Sequence, residues 1–203
     1  LRGSAEDKEI QVKDIDSLFK RIERIGSITF TGGEPTLATD KIIDVLWLAK
    51  KYEIEVGSFY IATNAMDVPD SFLLACIKWF IYCDDNEITQ VHWSNDDYHP
   101  VSTEGVKKLS ALGFASPKYT SEYRMRQENV INEGFGAQFG NNRFPSTSIC
   151  IEDDEIEGEV YLNVNGDIVD GCDWSYDSQE DHIVCEGSKL CLTAIRKYLA
   201  NKE

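Results

Sequence analysis

The sequence predicts an α/β protein built from βα units around a parallel sheet, with a small β-hairpin-plus-helix extension at its C-terminal end. Three observations carry this. Short β-prone runs at 27–31, 55–62 and 88–93 alternate with stretches that are apolar at helical spacing, which is the pattern of parallel strands joined by helical crossovers. A Gly32-Gly33-Glu34-Pro35 turn links the first run to the helix after it. Beyond residue 159 the pattern changes to two β-prone runs around Asn165-Gly166, a dipeptide that supplies the positive φ angles of a two-residue hairpin turn.

The first helix is expected over Val12 to Ile25, where Val12, Ile15, Leu18, Phe19, Ile22 and Ile25 share one face and Gly26 ends the pattern. Ser27 to Thr31 forms the first strand. Asp40 to Tyr52 reads as a helix burying Ile42, Val45, Leu46 and Ala49, and Glu55 to Ala62 as the second strand, stopped by Thr63-Asn64. Pro69 suits a helix start, its missing N–H being unpaired there in any case. That helix runs to Tyr82 and buries Phe72, Leu73, Cys76, Ile77 and Phe80. Ile88 to Trp93 is the third strand. Ser102 or Thr103 caps a helix that Gly113 follows. A polar helix is expected from Ser121 to Asn132, then an irregular loop marked by Gly134, Gly136 and Gly140. The hairpin pairs 161–164 with 167–169, and Ser188 to Ala200 forms the last helix. The domain boundary is placed at residue 145, with 1–145 as the core and 146–203 as the extension.

Composition narrows the function classes. With 36 acidic against 20 basic residues the formal charge is −16, and such a surface repels phosphate backbones, so nucleic acid is not an expected partner. No apolar run approaches the roughly 20 residues that span a bilayer, and no signal peptide opens the chain; the cytoplasm is the expected compartment. The six cysteines, Cys76, Cys83, Cys150, Cys172, Cys185 and Cys191, contain no CxxC or CxxxC pair, so ordinary zinc-finger and ferredoxin spacings are absent. Cys76 lies on an apolar helical face and is expected in the core.

The segment from Ile28 to Leu37, with Gly32-Gly33-Glu34-Pro35 closing a strand and leading into a helix, resembles the GGEP motif of the radical S-adenosylmethionine (SAM) superfamily. Two glycines let a backbone approach a ligand where a Cβ would clash, and a carboxylate at a strand end can hold a cationic amine. A plain glycine-rich βα turn has the same look. A phosphate loop would need a Lys-Ser/Thr pair, and Glu34 would repel phosphate. Ser58 to Ala65, ending Thr63-Asn64-Ala65, is similar to the family's next strand, which often ends Thr-Asn-Gly. Val91 to His99 is similar to the strand after it, where a serine and an acidic residue face the cofactor or substrate. The opening Leu1-Arg2-Gly3-Ser4 resembles the residues just after the third cysteine of the family's CxxxCxxC loop. That motif is expected directly upstream of Leu1, a vector-derived origin being the alternative.

The resemblance implies a partial (β/α)6 barrel, here missing its first strand, whose absence would leave 28–31 as an unpaired edge. It also implies a [4Fe-4S] cluster, S-adenosylmethionine as cofactor and a flavodoxin- or ferredoxin-like electron donor. In the intact protein SAM would be cleaved reductively to a 5′-deoxyadenosyl radical that takes hydrogen from a substrate the sequence does not identify. Gly32, Gly33, Glu34 and Pro35 would hold the methionyl end; Thr63, Asn64, Ser94 and Asp96 would line the adenosyl or substrate side. No catalytic residue is assigned, and His99 reads as an exposed loop histidine. Glu34, as an exposed turn carboxylate, is expected to matter little for stability. Cys150, Cys172, Cys185 and Cys191 are candidates for an auxiliary cluster of the SPASM or Twitch kind. The chain itself holds no cysteine triad, so it is expected to be inactive alone. The alternative is a non-catalytic member of the fold that binds a nucleoside or a protein.

Overall fold

A computed structural model describes residues 8–31, 33–94, 102–118 and 144–202. The chain divides into two compact units, one of Ile22–Arg126 and the other of Leu1–Arg21 with Gln127–Glu203.

Helix α1 (Val12–Phe19) belongs to the second unit and buries Ile15, Leu18 and Phe19. It is shorter than its apolar periodicity predicts. Ile22 lies beyond it, and Ile25 sits in strand β1 (Arg24–Phe30), in register with Val56. A parallel ladder to β2 engages one edge of 24–30, and that tertiary pairing overrides the local helical pattern.

In the first unit β1 is followed by a 3-10 turn at Pro35–Ala38, helix α2 (Thr39–Lys51), strand β2 (Glu55–Thr63), helix α3 (Asp70–Tyr82), strand β3 (Gln90–Trp93), helix α4 (Thr103–Leu109) and strand β4 (Ala115–Pro117). The four strands are parallel and lie in the order β1-β2-β3-β4. Among the described residues this is an α/β sheet of four parallel strands, and it does not close into a barrel. Among the described residues β1 pairs on one side only. A sheet wound consecutively by right-handed crossovers carries its helices on one face. Trp79 of α3 fixes which face: its ring meets Phe30 at 5.3 Å and Phe59 at 6.3 Å between centroids. Its indole N–H donates to the Ile42 carbonyl of α2 at 3.1 Å.

The helices follow their sequence signals closely. Asp40 lies in the first turn of α2 and Lys50 and Lys51 in its last, each charge favourable to the helix dipole. Ser102 caps α4 through its hydroxyl, which accepts the Gly105 N–H at 3.1 Å. The buried face of α3 differs from the expected one: Phe72 and Cys76 are buried, but Leu73 and Phe80 are only half-buried. Ile77 is 39% exposed, while Trp79, which the apolar pattern passed over, is fully buried. Ile88 is 59% exposed and precedes β3. Strand β4 was not expected; three residues with no apolar alternation carry no strand signal. Cys76 and Cys83 are core residues, and burial pushes the Cys76 thiol up to about 12. The expected helix at 121–132 and the glycine loop after it lie outside the described residues.

The second unit holds an antiparallel hairpin of β5 (Cys150–Glu152) and β6 (Glu155–Glu157) and a three-stranded antiparallel sheet of β7 (Val160–Leu162), β8 (Asp167–Asp170) and β9 (Ile183–Glu186). The Asn165-Gly166 signal marks a hairpin, as expected, but not a two-residue turn. Gly166 alone takes positive φ there, at 85°. Asn163 closes the loop instead, its Oδ1 accepting the N–H of Asn165 at 2.9 Å and of Asp167 at 3.0 Å. Helix α5 (Leu192–Ala200) begins later than predicted, a 3-10 turn at Gly187–Lys189 preceding it. Asp170, 2% exposed, ties this unit together. Its carboxylate accepts the N–H groups of Ser148 (2.9 Å) and Ile149 (3.0 Å), the Tyr198 hydroxyl (3.2 Å) and the Lys202 ammonium (2.9 Å). Burial would raise its pKa, but the Ile149 N–H, Lys202 and the Ser148 N–H together hold it below the ordinary carboxylate value.

Candidate functional site at the strand ends

The turn after β1 and the C-terminal ends of β2 and β3 converge, and Glu34 is the residue that joins them. Its side chain is half-buried. Oε1 accepts the Thr36 N–H at 3.2 Å, the Thr36 hydroxyl at 3.1 Å and the Thr63 hydroxyl at 2.5 Å. Oε2 accepts the Asn64 N–H at 2.8 Å. Ser94 completes the junction, its N–H donating to the Thr63 carbonyl at 2.8 Å. Consecutive parallel strands therefore deliver Glu34, Thr63, Asn64 and Ser94 to one place, the carboxyl end of the sheet, where open α/β folds bind ligands.

Local chemistry explains the shape. Gly33 has φ +52° with open space where a Cβ would lie, so it is required for backbone conformation and not for close packing within the chain. Pro35 sets the first residue of the 3-10 turn and Glu34 caps it. Thr63 both donates to Glu34 and accepts the Ala65 N–H at 3.0 Å. Asn64 turns the chain by accepting the Met66 N–H at 2.8 Å. Ala65 takes φ +55°, a conformation that favours glycine.

The expectation that Glu34 is an exposed carboxylate of little structural weight is thus corrected: it cross-links two strand ends. That does not exhaust it. A carboxylate shares about four acceptor sites over its two oxygens. Oε1 already accepts three hydrogen bonds, whereas Oε2 accepts one from the described residues. Among the described residues Oε2 is thus the less occupied oxygen, and the one open to a ligand donor such as an ammonium group.

Gly32, Asp96 and His99 lie outside the described residues. Cys150 is on β5, Cys172 follows β8, Cys185 is on β9 and Cys191 immediately precedes α5. Among the described residues no group of three or more His, Cys, Asp or Glu side chains is arranged to hold a metal ion. No helix among them is long and apolar enough to cross a membrane. A shallow cleft lined by Lys50, Glu53, Tyr82 and Asp84 lies by the first residues of β2, the end opposite Thr63 and Asn64.

The structure adds a pair that the sequence reading passed over. Since Phe30 and Phe59 face α3, strand alternation turns Thr29, Tyr60 and His92 to the other face of the sheet. There the Tyr60 hydroxyl lies 3.2 Å from His92 Nδ1, the rings meeting edge to face at 5.2 Å. The period-two run Ser58-Tyr60-Ala62, polar or small at each alternate position, is the signal that could have marked this face. Comparison of the chain with family models, with curated proteins and with solved structures finds no match.

Proposed function

We propose that this chain supplies the SAM-binding strand ends of a radical SAM enzyme, its sheet being part of a (β/α)6-type partial barrel. The observation that carries the reading is the convergence of Glu34, Thr63, Asn64 and Ser94, with Glu34 Oε2 accepting a single hydrogen bond among the described residues. Glu34 would accept from the methionyl ammonium, with Gly33 leaving the approach clear; Thr63, Asn64 and Ser94 would border the adenosyl side. SAM bound to a reduced cluster supplies the 5′-deoxyadenosyl radical. The chain's own contribution is to orient the cofactor and shield it from side reactions. The cluster's ligands are not among these residues: the six cysteines hold no triad at the family spacing.

The test is calorimetric titration of SAM and of S-adenosylhomocysteine into wild-type protein, Glu34→Gln and Trp79→Phe. The last variant lowers stability from the core, with no part in the hydrogen bonds of Glu34, by losing the bond to Ile42. A charge-assisted hydrogen bond contributes about 1.5–3 kcal/mol, so Glu34→Gln should weaken SAM binding by about one to two orders of magnitude. Trp79→Phe should leave it unchanged. Equal affinity in all three proteins would end the reading. Anaerobic reconstitution with iron and sulfide, then dithionite and SAM, should yield no 5′-deoxyadenosine; product above a cluster-free control would show that the cluster ligands are misplaced. Binding of both nucleosides by a protein whose full gene carries no cysteine triad would favour the second reading, a non-catalytic nucleoside-binding module.

A further inference from the structure

Within the unit that carries the proposed SAM site, the helices cover one face of the sheet and Tyr60 and His92 stand on the other. The register places them on adjacent strands, Tyr60 opposite Gln90 and Ala62 opposite His92. The pair is therefore diagonal, one residue pair below the strand ends that hold Thr63 and Ser94. Both side chains are half-buried. The register neighbours on this face are uncharged: Thr29 and Gln90 beside Tyr60, and Ala62 and Ser116 beside His92. A half-buried imidazole pinned by a phenol on an otherwise plain polar face is an arrangement that packing alone does not call for.

We propose that His92 is the proton acceptor and donor for a substrate held on this face, that Tyr60 is its positioning residue, and that the substrate class is one presenting an ionisable N–H or O–H group. This rests on the reading of the strand ends as a SAM site, which makes the same face the substrate side. The chemistry comes from the single contact. When Nδ1–H donates to the Tyr60 oxygen, the lone pair of Nε2 is the free basic position. Nε2 has no hydrogen-bond partner among the described residues. A substrate X–H passes its proton to Nε2, leaving X⁻ and an imidazolium whose two N–H groups donate to Tyr60 and to X⁻. No electron moves. In the opposite tautomer, Tyr60 O–H donates to Nδ1 and Nε2–H is the acid.

The surroundings favour the neutral ring that a base must be. Burial lowers the His92 pKa below its ordinary value, and the Lys118 ammonium acts in the same direction. Lys118 lies just after β4, its N–H bonded to the Trp93 carbonyl at 2.9 Å. From β2 the titratable group facing the ring is Tyr60; from β1 the register partner is Thr29, uncharged. The helices pack on the other face.

The experiment uses the whole chain with ¹⁵N-labelled histidine. Wild type should titrate at His92 with a midpoint below about 6.5, and diethyl pyrocarbonate should modify His92 at neutral pH, as read by mass spectrometry. Tyr60→Phe should change the ¹⁵N tautomer signature of His92 without unfolding the protein, and SAM should shift the His92 resonances. A His92 that titrates at or above the ordinary value, resists the reagent, or keeps its tautomer signature in Tyr60→Phe overturns the proposal. SAM that binds without moving the His92 resonances also overturns it. Absence of SAM binding altogether overturns the proposed function instead, and the titration and modification then decide the fate of the base on their own.

Discussion

Replacing Glu34 with glutamine tests the junction most directly, and its effect on folding can be worked from the hydrogen bonds. A glutamine side chain has one acceptor oxygen and one donor NH₂ group. Placed with its oxygen on the Oε1 side it keeps the bonds from Thr36 and Thr63, but its NH₂ then faces the Asn64 N–H that now donates at 2.8 Å. Two donors oppose each other, and a backbone N–H at the end of β2 loses its partner. The flipped amide fares no better: the two threonine hydroxyls can turn to accept from its NH₂, but the Thr36 N–H loses its partner. A buried or half-buried donor left unpaired costs about 1–3 kcal/mol. For a unit of about a hundred residues each kcal/mol lowers the melting temperature by about 4–8 °C. Glu34→Gln should therefore melt at least about 4 °C below wild type in the absence of ligand, by calorimetry or circular dichroism at pH 7. Glu34→Ala should fall further, since it strands the donors on both sides. A Glu34→Gln protein with wild-type melting temperature would show that the carboxylate does not bind the two strand ends, and the geometric basis of the site would be lost.

Three further outcomes are expected at other positions. A Cβ at Gly105 would lie 1.9 Å from the Ala65 carbonyl oxygen; Gly105→Ala should therefore displace α4 from the Ala65 loop and destabilise by about 1–3 kcal/mol, read by urea denaturation. The β5–β6 turn sets Asp153 at φ +49° and Asp154 at φ +63°, and Asn-Gly is the preferred pair for such a turn. Asp153→Asn with Asp154→Gly should stabilise by about 1 kcal/mol even though it gives up the exposed Arg196–Asp154 ion pair, which contributes about 0–1 kcal/mol. Asp170→Asn should cost about 1–3 kcal/mol at pH 7. Because the folded-state pKa of Asp170 is lowered, its stabilisation is full above about pH 3.9 and is lost as pH falls through the folded value. The gap between wild type and Asp170→Asn should close on acidification, and a constant gap would refute the assignment.

Much of the first unit is legible in the sequence because its helices and central strand announce themselves locally. Asp40 and the paired lysines bound α2, Ser102 caps α4, and the apolar run 55–63 is long enough to be a buried strand. The misread elements were set by distant pairing. Nothing local tells Ile25 to leave a helix and pair beside Val56, or Ala115 to pair beside Val91. In the site, the residue types at the strand ends are readable, but their mutual bonds are not: Glu34 and Asn64 are separated by a helix and a strand. The β5–β6 hairpin is hidden because Asp153-Asp154 carries no glycine to signal its turn.

The distribution of backbone strain bears on whether the junction is scaffolding alone. Among the described residues of this unit, positive φ occurs at Gly33, Glu53 and Ala65. Glu53 has a local cause. It ends α2, with its N–H on the Lys50 carbonyl and the Ile54 N–H on the Ala49 carbonyl, a usual way to stop a helix. Gly33 and Ala65 end no helix. Gly33 precedes Glu34 and Ala65 follows Asn64, so they lie at the two ends of one carboxylate's hydrogen bonds. An L-residue held in this conformation costs about 1–2 kcal/mol, and the Thr63-Asn64-Ala65 turn is held in place by Glu34 from one side and Gly105 from the other. Strain over-determined by its surroundings, at the carboxyl ends of parallel strands, is where binding sites store it. If the junction only joined strands, a relaxed glycine at 65 would serve it as well, and ligand binding would not respond. Ala65→Gly should therefore alter SAM affinity more than it alters the melting temperature, where the relief of strain is offset by the lost methyl group and the freer unfolded chain. The opposite pattern would make the turn a structural device.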